Sequence, residues 1–210
     1  YAGSLVNKEL LDYAKEGCEI YNSAYMTLEE VTEKMIDAEK KGLKTVRLHT
    51  GDPCLYGAIR EQMDILDENK IEYAVCPGVS SFCGAAAALN LEYTLPNVSQ
   101  SVIITRMAGR TPVPEKESIE SFASHNATMV IFLSTSMLEE LSKRLVSGGY
   151  KKETPTAIVY KATWSDEKKI ICTVETLAEK AKENGITKTA LIIVGNVLEG
   201  EYERSKLYDP

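Results

Sequence analysis

Thr45-Val46-Arg47-Leu48-His49-Thr50-Gly51-Asp52-Pro53-Cys54-Leu55-Tyr56-Gly57 decides the fold class of this chain. Residues 45–49 read as a short strand, Gly51-Asp52-Pro53 as a tight turn, and 57–69 as an amphipathic helix. Strand, turn and helix are the wiring of a βα unit, and in open α/β sheets ligands collect where such strands end. The pattern recurs downstream. Tyr73-Ala74-Val75 runs into Cys76-Pro77-Gly78-Val79-Ser80-Ser81, and the small-residue run Gly84-Ala85-Ala86-Ala87-Ala88 then favours a closely packed helix over 80–89. Two consecutive strand ends therefore carry Gly/Pro turns.

Upstream, Thr27-Leu28-Glu29-Glu30 has the form of a capping box. The helix it opens places Leu28, Val31, Met35 and Ala38 on one face and ends near Gly42. Asn7 to Cys18 reads as another short helix, with Leu10, Leu11 and Ala14 on one side. Tyr1-Ala2-Gly3-Ser4-Leu5-Val6 reads as a strand end and the loop after it. This βαβα alternation implies a mostly parallel sheet covered on both faces.

Leu95-Pro96-Asn97-Val98 breaks the alternation and reads as a linker. Beyond it, strands are expected at 101–105, 128–133, 156–161, 168–173 and 190–195, with helices at 137–147 and 175–184. The closely spaced strands 156–161 and 168–173 form a hairpin, so the second sheet is mixed. The expected architecture is α/β, with two αβα domains: residues 1–96 with a mostly parallel sheet and 97–210 with a mixed one.

Composition narrows the chemistry. The 210 residues are 44% hydrophobic and 26% charged, ordinary for a globular protein. No apolar run approaches membrane-spanning length and no signal-peptide pattern opens the chain. A formal charge of −7 removes any bulk basic field for nucleic acid, so an anionic partner needs a local cationic patch. Cys18, Cys54, Cys76, Cys83 and Cys172 are odd in number and scattered, which points to reduced thiols in a cytoplasmic protein. With His49 and His125 as the only histidines, no histidine-rich metal site is expected.

Asp52 has two readings, as a cap for the helix that follows or as a ligand-holding carboxylate beside exposed turn amides. Ser80 and Ser81 likewise read as cap and packing residues or as part of a site. Neither serine lies in G-x-S-x-G, and the sequence contains neither a phosphate loop nor G-x-G-x-x-G. Arg106 and Arg110 flank Gly109 just past a strand and before Pro112 and Pro114. Such a loop is either solvated or a carboxylate receptor, since guanidinium forks bind carboxylates in bidentate fashion. Ser134-Thr135-Ser136 and Lys161-Ala162-Thr163-Trp164 complete a set of polar strand ends. Trp164 there reads as core packing or as a stacking surface for a planar ligand.

Gly51-Asp52-Pro53-x-x-Tyr56-Gly57, Pro77-Gly78-Val79-Ser80-Ser81 and Leu191-Ile192-Ile193-Val194-Gly195, in this order, resemble the tetrapyrrole methylases, which use S-adenosylmethionine. Tyr1 to Val6 and Thr105 to Glu115 most resemble the branch acting on precorrin-4 and cobalt-precorrin-4 at ring carbon 11. The resemblance implies a homodimeric two-domain enzyme of cobalamin biosynthesis with its cofactor in the cleft between domains. Carried over by position, S-adenosylmethionine (or its product S-adenosylhomocysteine) would touch Gly51, Asp52, Leu55, Ser80 and Ser81. From the second domain Leu133, Ala162 and the Thr189–Leu191 stretch, Ala190 among it, would close on it. Arg106 and Arg110 would hold an anionic tetrapyrrole, and no residue is assigned as catalytic base or metal ligand. Members of the family begin with a strand and a loop of the form G-x-G-P-G-D-P. No such segment precedes Tyr1, so the first domain is read as front-truncated. Other methylases of this fold, a cofactor-binding domain without turnover and a serine hydrolase are the competing readings.

Overall fold

The computed structural model describes residues 1–200 and 202–208. The chain divides into two compact units, Tyr1–Ser81 and Phe82–Pro210.

In the first unit, helix α1 (Leu28–Lys40) starts at the expected capping box. The Glu30 amide donates to the Thr27 hydroxyl at 3.2 Å, and the Thr27 amide to the Glu30 carboxylate at 2.8 Å. Thr32 and Met35 are its buried residues, the Thr32 hydroxyl donating back to the carbonyls of Leu28 and Glu29. The expected helix over 7–18 is reduced to a 3₁₀ segment, Lys8–Tyr13, with Asn7 as its cap and no buried residue. Without an apolar face to bury, so short a helix gains little from tertiary packing. Helix α2 (Arg60–Glu68) begins three residues later than the expected 57, because Tyr56 and Ala58 adopt positive φ, 58° and 49°, and postpone regular helix.

The segments 45–49 and 73–76, expected as strands, carry no ladder among the described residues. A strand exists through its hydrogen-bonded neighbour, and consecutive strands of a βαβ pattern need not be adjacent. The nearest to pairing is the Ala2 amide, which donates to the Leu48 carbonyl at 2.9 Å.

The second unit holds a five-stranded mixed sheet in the order β1-β2-β5-β3-β4. Its strands are β1 (Val102–Arg106), β2 (Thr128–Phe132), β3 (Pro155–Tyr160), β4 (Lys168–Thr173) and β5 (Ala190–Val194). β1 and β2 are parallel; β5 runs antiparallel to both β2 and β3, and β3–β4 is the expected hairpin. Helix α3 (Ser81–Leu89) lies on one face. Ala85 there is fully buried with Val130, Ala157, Val159, Leu191 and Ile193. On the other face α4 (Ile119–Ala123), α5 (Leu138–Gly148) and α6 (Leu177–Glu183) cover Met129, Ile131, Ile158, Ile192 and Val194. The strands β2, β3 and β5 feed both layers with alternate residues, which explains their continuous apolar sequence. Each fully buried Leu, Ile or Val contributes about 1.5–3 kcal/mol.

Helix α3 packs on the second sheet, so the compact division falls at Ser81/Phe82 and the Leu95–Val98 turn lies inside the second unit. The short α4, capped by the Ser118 hydroxyl, was not foreseen: five residues are too few for a periodic signal.

Candidate functional site

In the first unit the two Gly/Pro turns meet at Asp52. One carboxylate oxygen accepts from the Cys54 amide at 2.8 Å and the other from the Gly78 amide at 3.0 Å. Asp52 thus pins two turns together and does not cap α2, whose N-terminal flank is Ile59. The two amides, Cys54 first, hold its carboxyl below the usual aspartate range. Glycine is required where the turns touch. A Cβ at Gly78 would lie 2.1 Å from the Gly51 carbonyl oxygen, and Gly51 itself has φ +60° with Ser80 and Ser81 backbone 3.3 Å from its virtual Cβ. Gly51, Asp52 and Gly78 therefore form one backbone junction, with Ser80 buried beside it and Leu55 half-buried in the first turn.

His49 immediately precedes this junction. Its Nε2 is buried without a hydrogen-bond partner. Burial first, then Arg47, pushes its imidazole below the usual histidine range.

In the second unit, sheet register brings the remaining expected residues to one end. Tyr160 pairs with Ala190, Ile131 with Ile192, and Arg106 with Phe132. Leu133, Lys161, Ala162, Ala190 and the loop after Arg106 consequently share one edge of the sheet. The Lys161 amide donates to the Thr189 carbonyl at 3.0 Å and the Thr135 hydroxyl to the Ala190 carbonyl at 3.1 Å, knitting that edge. Helix α3 approaches the same edge: a Cβ on Gly84 would meet Thr163 at 3.3 Å and Ala162 at 3.6 Å.

Backbone strain concentrates in these places. Among the described residues, the positive-φ non-glycines include Lys70 and Asn90 just past helix ends, and Asn97 and Asn126, a residue type that tolerates the conformation. All the others are Tyr56 and Ala58 in the first turn and Leu133 (53°), Lys161 (47°), Thr163 (72°) and Thr189 (58°) at the sheet edge. For a β-branched residue such as threonine this is an outlier, costing roughly 1–3 kcal/mol, and such strain clusters at ligand sites. Leu133 is in addition 55% exposed, an apolar side chain held outward by strained backbone. Sequence reasoning named Leu133, Ala162 and residues 189–191 only through family resemblance; it did not foresee the positive φ of Tyr56, Ala58 and Thr189, because φ leaves no mark on composition.

The Arg106 side chain folds back on its own loop. Nη1 donates to the carbonyls of Met107 and Thr111, both at 3.1 Å, and Nη2 to that of Pro112 at 3.0 Å. The Met107 amide donates to the buried Ser134 hydroxyl at 2.9 Å, anchoring the loop's stem. Arg110 is exposed at the tip. In the neighbouring β3–β4 connection Lys161 pairs with Asp166 at 2.6 Å and lies 4.9 Å from the Trp164 ring centre, so Trp164 stacks on its own loop's cation.

The donor set at these two places is backbone amides and carbonyls, hydroxyls and small or exposed apolar side chains. At each place, backbone groups and hydroxyls can fix the polar groups of a ligand, and small or exposed apolar side chains can pack on its flat parts. Among the described residues, no group of three or more His, Cys, Asp and Glu is placed to hold a metal ion, and no helix is long and apolar enough to cross a membrane.

Comparison with known proteins gives one consistent result. Residues 1–178 match the family Tetrapyrrole (Corrin/Porphyrin) Methylases. The whole chain aligns at 56% identity with 81% of a cobalt-precorrin-4 C(11)-methyltransferase of Methanocaldococcus jannaschii. Among solved structures, a cobalt precorrin-4 methyltransferase described as a cobalamin biosynthetic enzyme superposes with a TM-score of 0.92 at 43% identity, covering 95% of this chain and 84% of that one. A uroporphyrin-III C-methyl transferase from Thermus thermophilus, complexed with S-adenosyl homocysteine, shares the fold at a TM-score of 0.74 and 23% identity, covering 91% of this chain and 82% of its own.

Proposed function

The chain belongs to the tetrapyrrole (corrin/porphyrin) methylases, and from that membership we propose that it methylates cobalt-precorrin-4, or its metal-free counterpart, at ring carbon 11 in cobalamin biosynthesis. The observation that carries this reading is the 56% identity, over the full chain, to a C(11)-methyltransferase. S-adenosylmethionine, the methyl donor of this family, supplies a sulfonium methyl that an electron-rich ring carbon can take by in-line displacement.

The protein's task is then positioning, which can account for about 7–11 kcal/mol of a barrier. Gly51, Asp52, Leu55, Ser80 and Ser81 in the first unit, with Leu133, Ala162 and Ala190 in the second, are the proposed cofactor residues. Asp52 fixes the first set by holding the Cys54 and Gly78 amides. The strained edge at Leu133, Lys161 and Thr189 fixes the second. The loop carrying Arg106 and Arg110 leaves that same edge and meets the acidic substituents of the tetrapyrrole. Free, exposed thiols at Cys18, Cys54, Cys76 and Cys83 support a reducing, cytoplasmic setting, and a homodimer is proposed by resemblance.

The test is turnover. The full chain is incubated with cobalt-precorrin-4 and donor carrying a ¹³C-methyl group, and the product examined by NMR. Label at ring carbon 11 is expected; label at another ring carbon, or none, would overturn the assignment.

A further inference from the structure

Arg106 and Arg110 carry the same charge, four residues apart on one loop, yet the structure treats them differently. Arg106 uses both hydrogens of Nη1 and one of Nη2 on three backbone carbonyls, Met107, Thr111 and Pro112. Arg110 is exposed, and among the described residues it makes no hydrogen bond or ion pair. We infer that the two divide the work: Arg106 is a positioning residue that folds the 107–112 loop, and Arg110 is the cation that meets a substrate carboxylate. This inference rests on the reading of the site as one for an acidic tetrapyrrole.

Three features of the loop support the division. Its stem is fixed where the Met107 amide meets Ser134, whose hydroxyl in turn donates to the Phe132 carbonyl at 2.7 Å. Its far end is stiffened by Pro112 and Pro114, whose rings fix φ. Between them only the Gly109 amide, donating to the Thr111 carbonyl at 3.3 Å, adds a backbone bond. The guanidinium therefore closes a loop that has little other internal support. It can do so because Nη1 reaches the Met107 and Thr111 carbonyls on the two sides of the gap while Nη2, at fixed spacing, adds that of Pro112. A lysine ammonium keeps the charge but lacks the rigid fork and the second donor nitrogen, so it cannot hold all three carbonyls in this geometry. All three acceptors are neutral, so the charge of Arg106 is not cancelled and adds to the field at the tip.

The experiment combines amide hydrogen exchange on the ligand-free full chain with steady-state kinetics on cobalt-precorrin-4. Arg106→Ala and Arg106→Lys should both speed exchange of the Met107 and Gly109 amides, the hydrogen-bonded ones of the loop, and leave exchange elsewhere unchanged. Both should also raise the tetrapyrrole KM by about tenfold, with a smaller change in kcat. Arg110→Ala should raise KM by about tenfold while leaving loop exchange as in the unaltered chain. A KM for Arg106→Lys equal to that of the unaltered chain would make Arg106 a direct charge contact and overturn the division. So would unchanged loop exchange in Arg106→Ala. If the unaltered chain turns over no tetrapyrrole, the reading of the site fails and Arg110's role falls with it; exchange alone then decides Arg106.

Discussion

From sequence Asp52 reads as a helix cap or as a ligand-holding carboxylate; the structure removes the cap, because the flank of α2 is Ile59, and adds a junction between two turns. Its two oxygens join the turn after one strand-like segment to the turn after the next. Asp52→Ala frees both amides and should weaken S-adenosylhomocysteine binding several-fold by calorimetry, while Asp52→Asn, which keeps one acceptor, should fall between; equal affinities in all three would leave Asp52 without a part in the site. The pH dependence has a definite sign. A carboxyl whose folded pKa lies below its ordinary value, 3.8, contributes fully above that value and loses its contribution as pH falls through the folded pKa. Stability of the first unit should therefore fall as pH drops below the ordinary aspartate range, and less so in Asp52→Asn, as melts at stepped pH will show. His49 was visible in the sequence only as one of two histidines. The burial of its Nε2 depends on neighbours distant in the chain, and so could not be read there.

Among elements, those written in local pattern were legible and those that depend on distant partners were not. The Thr27–Glu30 box, the β3–β4 hairpin and the alternating apolar faces of β2 and β5 follow from spacing alone. Whether 45–49 and 73–76 acquire ladders depends on what lies beside them, which periodicity does not encode. The same holds at the site. The Gly/Pro turns announced themselves, whereas the left-handed backbone of Leu133 and Thr163 is imposed by sheet register and loop closure. Close helix packing gives a prediction at this scale. Between α4 and α5, a Cβ on Gly148 would stand 2.6 Å from both the Ala123 Cβ and the Glu120 carbonyl oxygen. Gly148→Ala should destabilise the second unit by about 1–3 kcal/mol through overpacking. Denaturant titration followed by Trp164 fluorescence measures it, and an unshifted midpoint would show that the two helices can part without cost.

At the scale of the whole molecule, stability is unevenly distributed. Both buried apolar clusters belong to the second unit, whereas the first buries little beyond Val6, Thr32, Met35, Leu66 and Ser80. Regions with few buried contacts open at lower free energy. Trp164, the only tryptophan, reports on the second unit alone, while far-ultraviolet circular dichroism also sees α1 and α2. The dichroism transition should begin at lower denaturant than the fluorescence transition; coincident curves would mean one cooperative unit. Five of the eight proposed cofactor residues lie in the less stable unit, so ligand should stabilise it selectively by mass action. The proposal that the junction at Asp52 and the strained strand ends serve S-adenosylmethionine is decided by calorimetric titration of the full chain with S-adenosylhomocysteine. Saturable binding at one site per chain is the predicted result, and the absence of binding heat at every concentration would contradict it.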